Sequence, residues 1–238
     1  MGAEISLRRR ATTTLSWPLG IVWTAWHYVW RILPVHRTEA GGTLADDLPP
    51  SLPDEFATAP DVQRPRHGSG PLLHRLYSAR IVGAELSAEE LMARISADPN
   101  RVTPRQIARF HRDAGARGPM RTGDEYLVHM PGPWNGPVRA VAVWPTGFRF
   151  ATLEGHLEAG QIEWRAWEDT DGLRFAVESW ARQGDRLSTV MHDHLLMAKE
   201  VQLYMWTTVV ERVARLAGGR LADGVSVDTR RVPAEVFT

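Results

Sequence analysis

The chain has 238 residues, 43% of them apolar and 24% charged, with 28 basic side chains against 28 acidic ones. Those fractions are ordinary for a soluble globular protein, and a balanced charge leaves no net field to attract nucleic acid. There is no cysteine, which excludes disulfides, thiolate nucleophiles and cysteine-held metals and fits a reducing, cytoplasmic location. Lys199 is the one lysine among the 28 basic residues. That skew reads as the codon bias of a GC-rich bacterial genome, so an exposed arginine carries little functional information by itself.

Residues 1–38 begin with Arg8-Arg9-Arg10 and continue as LSWPLGIVWTAWHYVWRIL. The run is aromatic, contains His27 and Arg31, and lacks the small-residue cleavage site of a secretory signal. It reaches a membrane-spanning length of about 20 residues only by including Pro18, His27 and Arg31. On a helix starting after Pro18, Leu19, Trp23, Trp26, Trp30 and Leu33 form one stripe, with Thr24, His27, Tyr28 and Arg31 opposite. Such an amphipathic helix suits docking, with Trp23, Trp26 and Trp30 against a partner protein or residues 17–33 on a membrane surface. Residues 39–71 hold Pro49, Pro50, Pro53, Pro60, Pro65 and Pro71 among acidic residues and glycines, the composition of a linker or extended arm.

Residues 72–219 carry the strongest periodic signals. LHRLYSARIVGAEL reads as a strand. Ser87 and Glu90 form a capping box that opens a helix with Leu91, Met92 and Ile95 inward. Thr103-Pro104 reads as the cap of a second short helix, with Ile107 and Phe110 on its apolar side and Gly115 at its end. Strands are expected at 125–130, 138–144, 148–153, 161–167 and 173–181, with tight hairpins at Thr146-Gly147 and Asp171-Gly172. The connections are too short for crossover helices, so these strands must be antiparallel. A long helix follows over about 187–217, with Met191, Leu195, Ala198, Gln202, Trp206, Val209, Val213 and Leu216 in one stripe and Gly218-Gly219 as its stop. Residues 220–238 read as a tail, with GVSVDTRRV either an edge strand or disordered.

This order predicts an α+β fold in which a curved antiparallel sheet grips a long C-terminal helix. It resembles the helix-grip architecture of the birch-pollen-allergen and START-like superfamily, a resemblance that implies a hydrophobic cavity between sheet and helix. The segments GSGPLLHRLY (68–77), HMPGPWNGPV (129–138), FRFATLEGHLEAGQIEW (148–164) and ESWARQGDRL (178–187) resemble the bacterial branch of the family called domain of unknown function nineteen-ninety, over roughly residues 65–220. Thr152, Leu153, Gly155, His156, Glu158 and Gly160 match its turn pattern. Leu157 stands where proline is usual, and Gln161 and Ile162 stand where acidic residues are common. The resemblance implies no particular reaction.

Three kinds of site remain open. His156, Glu158 and Glu163 are acid–base candidates for a small-molecule enzyme, or else turn and pocket-rim residues. A ligand in the grip, a hydrophobic small molecule or lipid, is expected to meet Trp134, Asn135, Trp144, Phe150, Trp164, Glu178, Gln202 and Trp206. Gln202 interrupts the apolar stripe and needs a hydrogen-bond partner, either a ligand or a strand carboxylate such as Glu178 or Glu163. His192 and His194 stand two apart, so a helix points them to nearly opposite sides and no metal is expected there. No dinucleotide, phosphate-loop, nucleophile-elbow or zinc-protease motif is present, and no cofactor or nucleic-acid partner is expected.

Overall fold

The computed structural model describes residues 34–115, 118–130, 135–184 and 194–237, and for 194–200 the backbone alone. The Trp-rich segment with Trp23, Trp26 and Trp30, the turn carrying Trp134, and the His192-Asp193 dipeptide lie outside the described residues. No helix among the described residues is long and apolar enough to cross a membrane.

The fold is α+β. Its strands are β1 (Val35–Gly41), β2 (Gly68–Val82), β3 (Arg109–Ala114), β4 (Glu125–His129), β5 (Asn135–Trp144), β6 (Gly147–Thr152), β7 (Glu158–Asp169), β8 (Gly172–Gly184), β9 (Arg220–Leu221) and β10 (Val225–Val232). The helices are α1 (Asp54–Ala57), α2 (Ala88–Ala97) and the long C-terminal α3 (His194–Leu216). The strands form one sheet in the order β1-β10-β2-β8-β7-β6-β5-β4-β3, with β9 beside β2. All neighbours are antiparallel except β1 and β10. Short loops exclude parallel pairing inside the meander, and the meander obeys. The parallel pair joins the two ends of the described chain, where the whole domain serves as the crossover.

Local chemistry accounts for most elements. In the α2 capping box the Ser87 N–H donates to Glu90 Oε2 at 2.9 Å, and the Glu90 N–H donates to Ser87 Oγ at 3.2 Å. Leu91, Met92 and Ile95 of α2 are fully buried against the sheet. The two tight hairpins have two-residue loops, Pro145-Thr146 and Thr170-Asp171, so Gly147 and Gly172 each open the next strand. Gly172 has φ +130°, and a Cβ there would press on the Ile81 carbonyl, so glycine is required.

Two stretches differ from the sequence reading. The expected helix after Thr103-Pro104 ends after one turn, in which the Pro104 carbonyl accepts from Ile107 and Ala108. Phe110 then enters strand β3, because β4 offers a full ladder and the Asn100 side chain completes it on the other side. Asn100 Oδ1 accepts from the Phe110 N–H at 2.8 Å and its Nδ2 donates to the Phe110 carbonyl at 2.9 Å. Residues 35–38, read as the end of a helix, and 220–232, read as a tail, are strands of the sheet, and β10 lies inside it rather than at its edge. These pairings link residues far apart in sequence, which no local window registers.

The core lies between α3 and the inner face of the sheet. Phe148, Phe150, Trp164, Phe175, Val177, Val209, Val210 and Val213 are buried there. Of residues 39–71, read as a linker or extended arm, 39–41 belong to β1 and 68–71 to β2, and 43–67 cross the outer face as a strap. Phe56 and Val62 of the strap bury against Val141, Ala151 and Leu153.

Candidate functional site

Strand alternation assigns the side chains to faces. In β2, Tyr77, Ala79 and Ile81 belong to the main core, so Arg75 and Leu73 face inward with them. In β7, Ile162, Trp164 and Ala166 face inward, and Glu158 shares their parity. In β8, Leu173, Phe175 and Val177 do so, which sends Ser179 and Ala181 to the same side.

The space under α3 therefore has two ends. At one end, Val209, Val210 and Val213 of the helix, with Ala217 just past its last residue, have no exposed surface and lie against Ile81, Leu173 and Phe175. Trp164 marks the boundary, stacked on Phe148 at 5.5 Å and edge-on to Trp206 at 5.7 Å. At the other end, under the first half of α3, the inward residues Leu73, Arg75, Glu158, Ile162, Ser179, Ala181 and Gln202 all stay half-exposed. The floor there is small, and Gly160 keeps it so: a Cβ at that position would run into the Trp180 carbonyl oxygen.

One polar chain crosses this open end. An Arg75 guanidinium nitrogen donates to Gln202 Oε1, and Gln202 Nε2 donates to Glu158 Oε1 at 2.7 Å. The helix is thus tied to β2 on one side and to β7 on the other. Tyr77 is the next inward residue of β2, and burial pushes its pKa up against the pull of the Arg75 charge, so its hydroxyl stays a neutral donor. Trp164 Nε1 is buried with no hydrogen-bond partner among the described residues. The rings of Phe110, Phe175 and Trp206 stand edge-on to its indole.

The three acid–base candidates do not converge. His156 Nδ1 accepts from the Glu158 main-chain N–H at 2.9 Å, not from a carboxyl. Desolvation lowers its pKa, outweighing the Glu158 charge and the backbone hydrogen bond. The Glu158 carboxylate turns to Gln202. Glu163 points to the opposite face, where Arg149 and Arg165 hold it at 3.1 and 2.9 Å.

Of the expected ligand contacts, Phe150, Trp164, Trp206 and Gln202 do meet on the inner side. Glu178 does not: it has the parity of Trp180, faces outward, and cannot serve Gln202. Trp144 lies over Gly147 at the β5–β6 turn, outside the main core. Asn135 opens β5 on the surface, its Oδ1 3.1 Å from His129 Nδ1. Arg75 and Tyr77 are the inner residues the sequence reading missed. Their phase with Ala79 and Ile81 in LHRLYSARI was the available signal.

Glu178 belongs instead to a ladder of charges on the outer face. Asp47 of the strap contacts His74 Nδ1 at 2.7 Å, and Glu178 contacts His74 Nε2 at 2.6 Å. Arg165 bridges Glu178 and Glu163, and Glu163 meets Arg149. Glu163 and Glu178 are direct cross-strand partners, an unfavourable like-charge pair that the bridging guanidinium relieves. His74 stacks on Trp180 at 5.2 Å. Its burial alone would lower the His74 pKa, but the hydrogen bonds and charges of Glu178 and Asp47 prevail and raise it.

No family model matches the chain. No curated protein sequence matches it either. Solved structures similar to it include Ara h 8.0201, at 10% identity and TM-score 0.41, covering 60% of this chain and 99% of that one. The di-domain ARO/CYC StfQ from the steffimycin biosynthetic pathway aligns at 11% identity and TM-score 0.46, over 62% of this chain and 51% of its own. Major latex-like protein 151 from Panax ginseng aligns at 15% identity and TM-score 0.41, over 61% and 98%.

Proposed function

We propose that this is a binding domain whose open end, beneath the first half of α3, takes up a hydrophobic small molecule or lipid with a polar end. The observation that carries the reading is the contrast in exposure under one helix. Inward residues around Arg75, Glu158 and Gln202 stay half-exposed, while those against the second half of α3 are buried almost completely. An apolar recess with a few converging polar groups is the usual form of a small-molecule site. Leu73, Ile162 and Trp206 would meet the apolar part, and the Arg75–Gln202–Glu158 chain the polar part. The motif resemblance of residues 148–164 to the domain of unknown function nineteen-ninety family belongs to the same reading, and it adds no reaction. The dispersal of His156, Glu158 and Glu163 favours binding over acid–base catalysis.

The test is native mass spectrometry of the full chain after incubation with a lipid extract and a panel of small aromatic compounds. One-to-one adducts are expected, and Ala181→Leu, which fills the floor without touching the sealed end, should remove them. Adducts that persist unchanged in Ala181→Leu would place the ligand elsewhere and overturn the reading.

A further inference from the structure

We propose that the open end of the grip selects amphiphiles bearing a single carboxylate, received by the Arg75 guanidinium and the Tyr77 hydroxyl. The proposal rests on the binding role inferred for that end and names the chemical class of its ligand.

The protein gives its other partly buried arginines fixed acceptors: Arg64, Arg182 and Arg212 donate to main-chain carbonyls, and others meet carboxylates. Arg139 is held by Asp61 and Glu125, Arg149 by Glu163, Arg165 by Glu163 and Glu178, and Arg112 lies 3.5 Å from Asp124. Pairing of this kind offsets the cost of taking a cation out of water. Arg75 faces inward and is half-buried, yet no carboxylate among the described residues pairs with it. Its acceptor is the neutral amide oxygen of Gln202, and Tyr77 is the next inward residue of the same strand.

Gln202 holds that state in place. Its amide sits between Arg75 and Glu158, with oxygen toward the cation and nitrogen toward the anion. The two charges are kept apart rather than joined in a salt bridge. A guanidinium offers five N–H donors in a planar fork that matches a carboxylate, and one amide oxygen leaves most of them for another acceptor. Tyr77, kept protonated by its burial, adds an O–H donor beside the fork.

The surroundings favour an anion as well. Strand register places Arg37 beyond Tyr77, Glu39 beyond Arg75 and Arg231 beyond Leu73 on the inner side. With Arg75 and Glu158, the inward strand positions at this end carry three cations against two carboxylates. A single negative charge is therefore attracted, and a cationic head group is not.

The experiment uses the full chain and two matched probe pairs, dodecanoate with dodecan-1-ol and 2-naphthoate with 2-naphthol, titrated calorimetrically at neutral pH. At least one acid should bind tenfold or more tightly than its alcohol. Arg75→Met should erase that preference while the alcohol still binds, and Arg75→Lys should restore part of it. Ala181→Leu should weaken acid and alcohol alike. Equal affinity within both pairs overturns the carboxylate assignment and leaves the binding end intact. Binding of none of the four probes overturns both. A preference that survives Arg75→Met assigns the anion to another cation and also overturns the proposal.

Discussion

The same four strands, β2, β8, β7 and β6, present two unlike faces. On the inner face Tyr77, Phe175, Trp164 and Phe148 make an aromatic and aliphatic wall that opens at one end into a sparse polar chain. On the outer face His74, Glu178, Arg165, Glu163 and Arg149 alternate in charge from strand to strand, and the strap closes over them through Asp47. Side chains in a strand alternate with a period of two, so one stretch of sequence writes both faces at once. The difference teaches that a dense charge cluster is a poor guide to the proposed binding end. The outer ladder is paired off between its own strands and the strap, whereas on the inner face no carboxylate among the described residues pairs with Arg75.

The contrast can be broken most forcefully at Trp164. Its side chain is fully buried among Phe148, Phe175 and Trp206. Trp164→Ala should destabilise the domain by about 3–5 kcal/mol, the usual cost of emptying an aromatic site in a packed core. Urea denaturation measures it; a loss below about 1 kcal/mol would mean that the boundary of the sealed end is itself loose. On the outer face, Glu178→Gln removes the anion between His74 and Arg165 and leaves both cations short of a partner. Breaking a fully buried pair costs about 3–5 kcal/mol, and the partial exposure of Arg165 brings the expectation nearer 2–3 kcal/mol. If Glu178→Gln is neutral, the ladder is ornamental and the strap is held by its apolar contacts alone.

The pH dependence sharpens the same point. Both ring nitrogens of His74 face carboxylates, so the clip needs the imidazolium. Its folded pKa is raised above the ordinary 6.5, so its contribution is complete below that value and is lost as pH rises through the raised one. Asp47 and Glu178 are shifted the other way. Burial alone would raise them, but hydrogen bonds from His74, with the Thr43 N–H on Asp47 and Arg165 on Glu178, hold both below their ordinary values of 3.8 and 4.5. Their contributions are complete above those values and are lost as pH falls through the lowered ones. The strap is therefore held best between pH 4.5 and 6.5. Arg230, 3.8 Å from Asp47, and Arg165 keep their charge throughout and set the background field. Urea midpoints across pH 4–9 should show the wild type losing stability on the alkaline side relative to His74→Gln. Parallel profiles for the two chains would remove the clip from the account.

How much of this was legible follows the range of each signal. The hairpins, the α2 capping box and the amphipathic C-terminal helix are written within a few residues of one another, and they are enough to give the helix-grip arrangement. The face of Glu178 was also legible, because LRFAVES puts Leu173, Phe175 and Val177 on one side and therefore Glu178 on the other. Reading it as a partner of Gln202 overrode that parity. The Asp47–His74 contact, the parallel β1–β10 pair and the Gln202–Glu158 bond each join distant segments, and local sequence carries no trace of them. Strand β3 was lost to a stronger local cue, the Thr103-Pro104 cap, which does start a turn before the ladder with β4 prevails.

The smallest effect belongs to the side of α3 turned away from the sheet. Arg215 is well exposed and pairs with Glu211 four residues earlier, in the order that also sets a cation near the helix C-terminus. An exposed pair of this kind contributes roughly 0.3–0.5 kcal/mol and is screened by salt. Arg215→Ala should lower the urea midpoint by no more than that, and the difference should vanish in 1 M salt, where the Debye length is about 3 Å. A cost above about 1 kcal/mol that persists in salt would mean that the outward side of α3 is engaged by more than this ion pair. The contrast between a helix face that grips and one that merely dissolves would then fail.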